Sequence, residues 1–336
     1  LRQYVTATGL SGVVFTEDVK RYYPYNNFAA QVIGFCGTDN QGLEGIESIY
    51  DEELSGVPGR VVSARESTGL ESNNGYENYI AAQDGNSVVL TIDETIQSYV
   101  QKNLEAAAAD NKVAEGAAAI VMDVNTGEIL AMCTEPDYDL NAPFEITDSI
   151  EEKYPGIREE LENLEGEEYN NRLSEVMQTV RRNKAVVDSY EPGSTFKPIT
   201  LATALEEGVV NMNTTFTCTG SIHVEGWGKP INCSKRAGHG TQTLKVATGN
   251  SCNPAFVTMG LKIGTEAYYR YLKSFGLMET TGIDLPAEAE GIFANEDSFN
   301  SNVVSLAAYS FGQTFNVTPL ELIRAQAATI NGGYLY

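Results

Sequence analysis

The stretch "SYEPGSTFKPITLATALEEG", residues 189–208, predicts a helix with a serine and a lysine three positions apart at its start. Residues three apart share one face of a helix, so we expect Ser194 and Lys197 to lie side by side. Pro198 falls in the first helical turn, where proline is tolerated, and Gly208 is placed to end the helix. The pattern fits a nucleophile with its own base, and it fits equally an ordinary serine at a helix start.

The chemical interpretation depends on the protonation of the lysine. A lysine shielded from water can lose its proton and activate a neighbouring serine hydroxyl as a nucleophile. If Ser194 opens the helix, its backbone N–H lies at the positive end of the helix dipole and supplies one oxyanion donor.

A second candidate motif is "TGNSCNPAFV", residues 248–257. It places Ser251 and Asn253 two positions apart in a predicted loop, from which both side chains can point into one cleft. The hydroxyl can pass a proton to a leaving amine, and the amide can bind a substrate amide. The alternative is a capped helix start at Asn253 and Pro254, and the pattern alone leaves both open.

Composition excludes several classes of function. The chain has 336 residues and a formal net charge of −24, which allows two or three domains and argues against nucleic acid as a partner. The acidity gives no reason to expect a polybasic membrane contact. We find no apolar run of ~20 residues and no signal peptide. Because the chain begins at Leu1 and ends in "NGGYLY", we expect both ends to be cut, with an anchor or export signal upstream.

The first half of the chain predicts an α+β organisation. Residues 1–86 are expected to form a small β-rich or α+β module, with short strands in 29–37 and 56–66. The run "SVVLTID", residues 87–93, predicts a buried strand followed by an amphipathic helix in 94–111. Residues 116–133 predict a hairpin with an Asn-Thr-Gly turn.

Two later segments stand out by composition. Residues 145–180 are strongly acidic, and we predict a solvated helical insertion or flap over the surface. Near the end, "TPLELIRAQAATINGG" predicts a helix with Thr318 as N-cap, Pro319 at its first position and Glu321 completing a capping box.

An ordered set of stretches resembles the class B, monofunctional penicillin-binding proteins, a family of peptidoglycan D,D-transpeptidases. The stretches similar to the catalytic part of that family are "LTIDETIQ", "GAAAIVMDVNTGEILAM", "YEPGSTFKPIT", "TGIDLPAEAEG" and "FGQTFNVTPLELIRAQAATINGG". Those similar to its pedestal module are "RYYP", "GLEGIES" and "YDEELSG". Within the family, "INCSKRAGHGTQTLKVATGNSCN" is most similar to the branch that acts in spore-cortex synthesis.

The resemblance implies an α+β fold with helices around an antiparallel sheet. The expected domains are a pedestal in residues 1–86 and a transpeptidase domain in 87–336, interrupted by the acidic insertion in 145–180. It also implies attachment to the extracytoplasmic face of a bacterial membrane, the forespore envelope included, through an anchor missing from this chain. A glycosyltransferase partner is implied, and no cofactor is.

The resemblance also assigns roles within the two motifs. Ser194 is expected to attack the penultimate D-Ala of a peptidoglycan stem peptide while Lys197 takes its proton. Ser251 relays a proton to the departing D-Ala, and Asn253 binds the substrate amide and orients Lys197. A β-lactam is expected to acylate Ser194 and remain bound.

One departure from the family pattern concerns its third motif, a Lys-Thr-Gly or Lys-Ser-Gly, which the printed chain does not contain. We expect this motif beyond Tyr336, so the activity of the chain itself is in doubt. The alternatives that stay open are a D,D-carboxypeptidase of the same fold, a penicillin-binding sensor domain and a non-catalytic scaffold. The chain lacks Glu-x-x-Leu-Asn, the deacylation motif of class A β-lactamases, which makes a β-lactamase less favoured.

The five cysteines are too few and too widely spaced for a disulfide scaffold. A zinc set of Cys218, His223, Cys233 and His239 fits no compact finger spacing, so we predict no metal site. A disulfide between Cys233 and Cys252 is the sharper hypothesis, because it would reshape the cleft around the second motif. The alternative is two buried free thiols.

Overall fold

The computed structural model describes residues 19–62, 78–113 and 115–336. This part of the chain has an α+β fold in which helices surround four two-stranded antiparallel sheets. The α-helices, numbered α1 to α15, are Ala30–Ile33, Gly45–Ile49, Asp51–Ser55, Glu94–Asn111, Asp148–Lys153, Ile157–Glu162, Gly166–Arg181, Lys184–Val187, Lys197–Glu206, Leu244–Gly249, Asn253–Ile263, Thr265–Ser274, Glu296–Asn300, Val303–Tyr309 and Pro319–Ala328. The strands, β1 to β8, are Arg60–Val62, Asn78–Ile80, Ala117–Met122, Ile129–Glu135, Thr215–Cys218, Ser221–Ile222, Ile231–Asn232 and Gly240–Thr243.

The strand predicted in residues 29–37 is wrong, because residues 30–33 form helix α1. The buried Gln31 side chain stabilises this helix in its position by donating to the carbonyls of Pro136 at 3.1 Å and Val180 at 3.2 Å. These are tertiary contacts, which no local pattern contains. The strand predicted in 56–66 is confirmed over β1, which pairs with β2, and residues 63–66 lie outside the described part of the chain.

The strand predicted in residues 87–93 is also wrong. Val88 and Leu90 pack against the core, but Val89 between them is 93% exposed. The backbone N–H of Asp93 donates to Leu130 at 2.9 Å, yet the described part of this segment forms no ladder with a neighbouring strand. The alternating burial of residues 88–90 therefore belongs to a segment that lies against the hairpin without pairing as a strand.

Helix α4 and the hairpin β3–β4 are both confirmed. Asp93 caps the helix by accepting from the N–H of Ile96 at 2.8 Å. The buried Gln97 amide then joins the helix to the hairpin, because it donates to the Met132 carbonyl at 3.0 Å and accepts from the Met132 N–H at 2.8 Å. One side chain therefore satisfies both backbone groups of a core strand residue.

The acidic segment 145–180 is helical as predicted, forming α5, α6 and most of α7. The prediction of a solvated flap is wrong for the inner face of these helices. Their apolar residues form one buried cluster with Phe35 and Tyr138; these are Ile150, Ile157, Leu161, Val176, Met177 and Val180. The acidic residues lie mainly on the outer face, so composition alone hides the packed face.

The largest core cluster lies beneath the two candidate motifs. It joins α9, α11, α14 and α15, with the rings of Phe196 and Phe315 4.8 Å apart at its centre. The predicted capping box of α15 is confirmed, since Thr318 accepts from the Glu321 N–H at 3.1 Å and Glu321 accepts from the Thr318 N–H at 2.7 Å. The helix start is therefore rigidly fixed behind the site.

Within the described ranges, every helix is too short or too polar to cross a bilayer. The domain boundary predicted between residues 86 and 87 stays a prediction.

Candidate active site

The segment that carries Ser194 is fixed by backbone contacts with residues 312–317. Tyr190 and Val317 exchange two backbone hydrogen bonds of 3.0 Å, and the Gly193 N–H donates to the Gly312 carbonyl at 2.8 Å. A Cβ atom on Gly312 would lie 1.9 Å from the Gly193 carbonyl oxygen, so only glycine permits this approach. The chain is thereby held in place immediately before the nucleophile candidate.

Ser194 lies in a short 3-10 turn, Gly193–Phe196, that runs directly into α9 at Lys197. The turn leaves Ser194 exposed, while Lys197 is only 3% exposed. The Lys197 Nζ lies 3.0 Å from the Ser194 Oγ. The structure thus brings the two residues together at the boundary between the core and the solvent.

The second motif approaches Lys197 from the other side. Ser251 occupies the turn between α10 and α11 with φ at 47°, a left-handed conformation that is uncommon for serine and that clusters at functional sites. The Lys197 Nζ lies 2.8 Å from both the Ser251 carbonyl oxygen and its Oγ. It lies 2.7 Å from the Asn253 Oδ1, and the Asn253 amide donates to the Asn232 carbonyl of β7 at 2.9 Å.

Lys197 therefore has four oxygen neighbours in the described structure, and none of them is a carboxylate. An ammonium has only three N–H groups. The Ser251 carbonyl and the Asn253 amide oxygen can only accept, so they claim two of the amine hydrogens. A neutral amine then keeps a lone pair that can accept from the Ser194 hydroxyl.

Burial lowers the pKa of Lys197 from its ordinary 10.5 to about 8, and the nearby Cys233 and Cys252 oppose this shift. The ring of Phe256 lies 5.2 Å from Nζ and adds an apolar wall on one side. Without a counter-charge to hold the proton, Lys197 can act as a base near neutral pH.

A cluster of sulfur and nitrogen atoms lies directly behind the second motif. The Cys218, Cys233 and Cys252 sulfurs and a ring nitrogen of His239 all lie within 4.8 Å of one another. The three cysteines are buried free thiols, so the predicted Cys233–Cys252 disulfide stays a prediction. Burial raises the pKa of the Cys252 thiol. For Cys218, burial also acts to raise the pKa, but N–H donors from His239 and Gly220 outweigh it and lower the pKa to about 6.

The grouping of these four residues follows from strand pairing. Antiparallel β5 and β8 place Cys218 opposite Gly240, so the neighbouring His239 lies close to Cys218. Cys233 follows β7, and Cys252 precedes α11. The spacing considered from sequence contains three of these residues, but it includes the exposed His223 in place of Cys252. The signal that identifies Cys252 is tertiary, since α11 packs against β5, β6 and β7.

Comparison with known families agrees with this arrangement. The model of the penicillin-binding protein transpeptidase domain matches residues 117–336, and that of the penicillin-binding protein dimerisation domain matches residues 5–90. Stage V sporulation protein D of Bacillus subtilis is 37% identical over 99% of this chain and 46% of its own length. Peptidoglycan D,D-transpeptidase FtsI of Escherichia coli is 30% identical over 97% of this chain and 49% of its own length.

Solved structures give the same fold. Penicillin-binding protein 3 of Mycobacterium tuberculosis, complexed with aztreonam, superposes with a TM-score of 0.69 at 27% identity, over 93% of this chain and 58% of that one. The penicillin-binding protein PBP2 of Helicobacter pylori, in complex with MreC, gives a TM-score of 0.74 at 25% identity, over 98% of this chain and 61% of that one. This chain spans about half the length of the curated relatives it matches. Because the transpeptidase model covers well over half of its residues, the chain belongs to the penicillin-binding protein transpeptidase family.

Proposed function

We propose that the chain is the working part of a peptidoglycan D,D-transpeptidase that forms a serine acyl-enzyme. The observation that carries the proposal is the buried Lys197 amine, which lies within 3.0 Å of oxygens from Ser194, Ser251 and Asn253 and has no carboxylate among its described partners. A base without a counter-charge beside an exposed hydroxyl is the arrangement that serine activation requires. The E. coli relative bears the name of this activity.

Acylation begins with the Ser194 hydroxyl. Its Oγ attacks the carbonyl carbon of the penultimate D-Ala, and the proton passes to the neutral Lys197 amine 3.0 Å away. Negative charge develops on the carbonyl oxygen, and the backbone N–H of Ser194 supplies one donor to it. The second donor in this family belongs to the third motif, so this chain's own residues account for half of the oxyanion site.

Ser251 connects the base to the leaving group. Its Oγ lies 2.8 Å from the Lys197 Nζ, so the proton taken from Ser194 can move through the Ser251 hydroxyl to the departing D-Ala amine. Asn253 accepts from Lys197 and keeps one amide hydrogen for substrate, since the other is held by the Asn232 carbonyl. An amine from a neighbouring stem peptide then attacks the acyl carbon, the bond from that carbon to the Ser194 Oγ breaks, and the proton of the amine passes through Lys197 to the Ser194 oxygen.

We further propose that the chain acts outside the cytoplasmic membrane, together with a glycosyltransferase and in the building of the spore cortex. The name of the B. subtilis relative, Stage V sporulation protein D, supports the role in sporulation, and the name of the E. coli relative supports action on peptidoglycan. The match of residues 5–90 to a dimerisation domain supports a pedestal that contacts a partner protein. In the H. pylori structure, the related PBP2 is complexed with MreC.

The proposal is tested by intact-mass analysis after incubation with a fluorescent penicillin. We expect one covalent adduct per chain, located on the peptide that contains Ser194. Ser194→Ala should abolish it, whereas Ser189→Ala, which changes a serine in the same segment that is not a partner of Lys197, should leave it unchanged. An adduct of equal yield in Ser194→Ala would refute the assignment of the nucleophile.

The alternatives are separated by a second assay. A stem pentapeptide ending in D-Ala-D-Ala is supplied with an acceptor amine, and both D-Ala release and cross-linked dimer are quantified. Dimer formation supports the transpeptidase. Release of D-Ala without dimer indicates a carboxypeptidase, and penicillin acylation without either product indicates a sensor. No reaction in either assay, from a chain extended to include the third motif, indicates a scaffold.

A further inference from the structure

The Cys218, Cys233, His239 and Cys252 cluster has the donor set of a metal site. It contains three thiols and one imidazole, all with their donor atoms within 4.8 Å of one another. Tetrahedral Zn²⁺ binds sulfur at about 2.3 Å and nitrogen at about 2.0–2.1 Å, which places neighbouring donor atoms about 3.5–3.8 Å apart. The Cys233 Sγ and His239 Nδ1 already lie 3.5 Å apart. The remaining donor atoms lie within 4.8 Å of one another, so they need to move closer together to reach these distances.

Two loops that carry residues of the cluster pack closely against each other, which fixes the backbone next to the proposed ligands. Two loops cross so closely that a Cβ on Gly220 would lie 2.0 Å from the Arg236 carbonyl oxygen, and one on Gly238 would lie 2.3 Å from the Cys218 carbonyl oxygen. Both glycines have positive φ.

From these observations we infer that Cys218, Cys233, His239 and Cys252 form a structural Zn²⁺ site behind the second motif. Three soft thiolates and one imidazole in a tetrahedral arrangement favour zinc over magnesium, calcium or manganese. Four protein ligands leave no open position for water or substrate, so the metal would have a structural and not a catalytic role.

The site would act on the second motif through its ligands. Cys252 lies between Ser251 and Asn253, both of which contact Lys197. Cys233 follows Asn232, whose carbonyl accepts from Asn253. A metal bound to both cysteines would fix the left-handed turn at Ser251 and the orientation of Asn253. This consequence depends on the proposed function, whereas the metal site itself does not.

Zinc binding at this site involves no change of oxidation state. Zn²⁺ forms three bonds to sulfur and one to the imidazole, and each thiol that is protonated releases its proton to solvent. The His239 ring stays neutral and binds through one nitrogen. The same thiolates cannot simultaneously form the Cys233–Cys252 disulfide, so the two states exclude each other.

The first test measures metal content. The full chain is purified in reductant without chelator, equilibrated with an equimolar amount of Zn²⁺, and analysed by native mass spectrometry and by elemental analysis. We expect one zinc per chain, and we expect His239→Ala to weaken binding by about 100-fold or more, since loss of a second-shell partner alone costs about 10–100-fold. His223→Ala is the matched control, because it changes the exposed histidine outside the cluster and should retain the metal.

A second test does not depend on how well the variants fold. Co²⁺ replaces zinc in the unmodified chain, and the absorption spectrum is recorded. Three thiolate ligands in tetrahedral geometry predict strong thiolate-to-cobalt charge transfer and visible d–d bands, which Cys36→Ser should leave unchanged. The site would be overturned by a chain that binds no metal, by a Co²⁺ spectrum without thiolate bands, or by a Cys233–Cys252 disulfide in the purified chain. Zinc bound by His239→Ala as tightly as by the unmodified chain would overturn it as well.

The link to the second motif has its own readout. Removing zinc with a chelator should slow penicillin acylation of Ser194 by about 10-fold or more. The pH at which the rate is half-maximal would still report on Lys197. A chain that binds no zinc in the first test but is acylated at Ser194 would refute the metal site and leave the proposed function standing. Bound zinc without acylation would do the reverse, so the two failures can be told apart.

Discussion

Two buried lysines on neighbouring segments, Lys184 and Lys197, have opposite surroundings. Lys184 in α8 lies 3.5 Å from the Asp188 carboxylate, so its charge has a partner. Lys197 is more deeply buried, and the oxygens around it come from two hydroxyls, one carbonyl and one amide. Both sites surround a buried amine with oxygen atoms, but only the site of Lys184 includes an anion.

The difference indicates which lysine can do chemistry. An ammonium beside a carboxylate has its charge compensated by that neighbour. A buried ammonium among neutral oxygens loses hydration without gaining a counter-charge, which favours the neutral amine. Lys197 is therefore suited to proton transfer, whereas Lys184 forms an i,i+4 ion pair at the end of α8.

The largest expected effect comes from removing each amine in turn. Lys197→Met should lower the rate of penicillin acylation by about 10²–10⁴-fold, since the general base is lost. Lys184→Met should leave that rate within about 2-fold and reduce thermal stability. The rates are measured by time-resolved intact mass. Equal losses in the two variants would show that the comparison reflects folding and not chemistry.

The pH dependence gives the next largest effect. With the pKa of Lys197 at about 8, the neutral amine is scarce at pH 6 and reaches half at pH 8, so acylation should rise about 50-fold between these values and level off above pH 9. Cys233 and Cys252 are the titratable neighbours that oppose the lowering of the Lys197 pKa. A rate that is flat from pH 6 to pH 9 would contradict a lysine base.

A smaller effect should follow from removing the counter-charge of Lys184. Asp188→Asn should lower the free energy of unfolding by about 1 kcal/mol, because the carboxylate is 38% exposed and solvent screens part of the interaction. It also breaks the ion pair with Arg182. Acylation should not change. Glu152→Gln, an exposed acid outside the ion pairs found in the described residues, serves as the control in denaturant melts.

The last effect is confined to the pH dependence of stability and concerns Glu135, a buried acid with no counter-charge among the described residues. Burial and the neighbouring Asp137 raise the pKa of Glu135 from its ordinary 4.5 to about 7, and burial raises the pKa of Asp137 to about 6. An acid with a raised pKa in the folded state stabilises the fold at low pH, and this contribution is lost as pH rises from about 4.5 through about 7.

Glu135→Gln should therefore flatten part of the decline in stability between pH 5 and pH 8. Thermal melts across this range measure it, and the Ser149 hydroxyl that donates to Glu135 at 3.1 Å can still pair with the glutamine. A slope identical to that of the unmodified chain would show that Glu135 titrates normally.

The local parts of the site were open to prediction from sequence. Ser194 and Lys197 lie on one turn, so helical spacing alone brings them together. The capping box at Thr318 and the hairpin at β3–β4 follow from short patterns in the same way. Each of these needs only residues that are close in the chain.

The remaining parts depend on contacts between distant segments. Cys252 joins Cys218 and His239 because α11 packs against β5, β6 and β7, whereas the set considered from sequence has His223 in its place. The α1 helix is decided by Gln31 contacts to residues over a hundred positions away. The acidic segment hides a buried apolar face because charge dominates its composition. Long-range packing overrides local preference in all three cases.

The most direct measurement is the pKa of Lys197 itself. Lysine labelled with ¹³C at the ε position is titrated by nuclear magnetic resonance, and the Lys197 signal is assigned from its absence in Lys197→Arg. One lysine should titrate with a midpoint at about 8, and it should be this one. If the Lys197 signal instead titrates at its ordinary value of 10.5, the amine is protonated at neutral pH and the proposed base is contradicted.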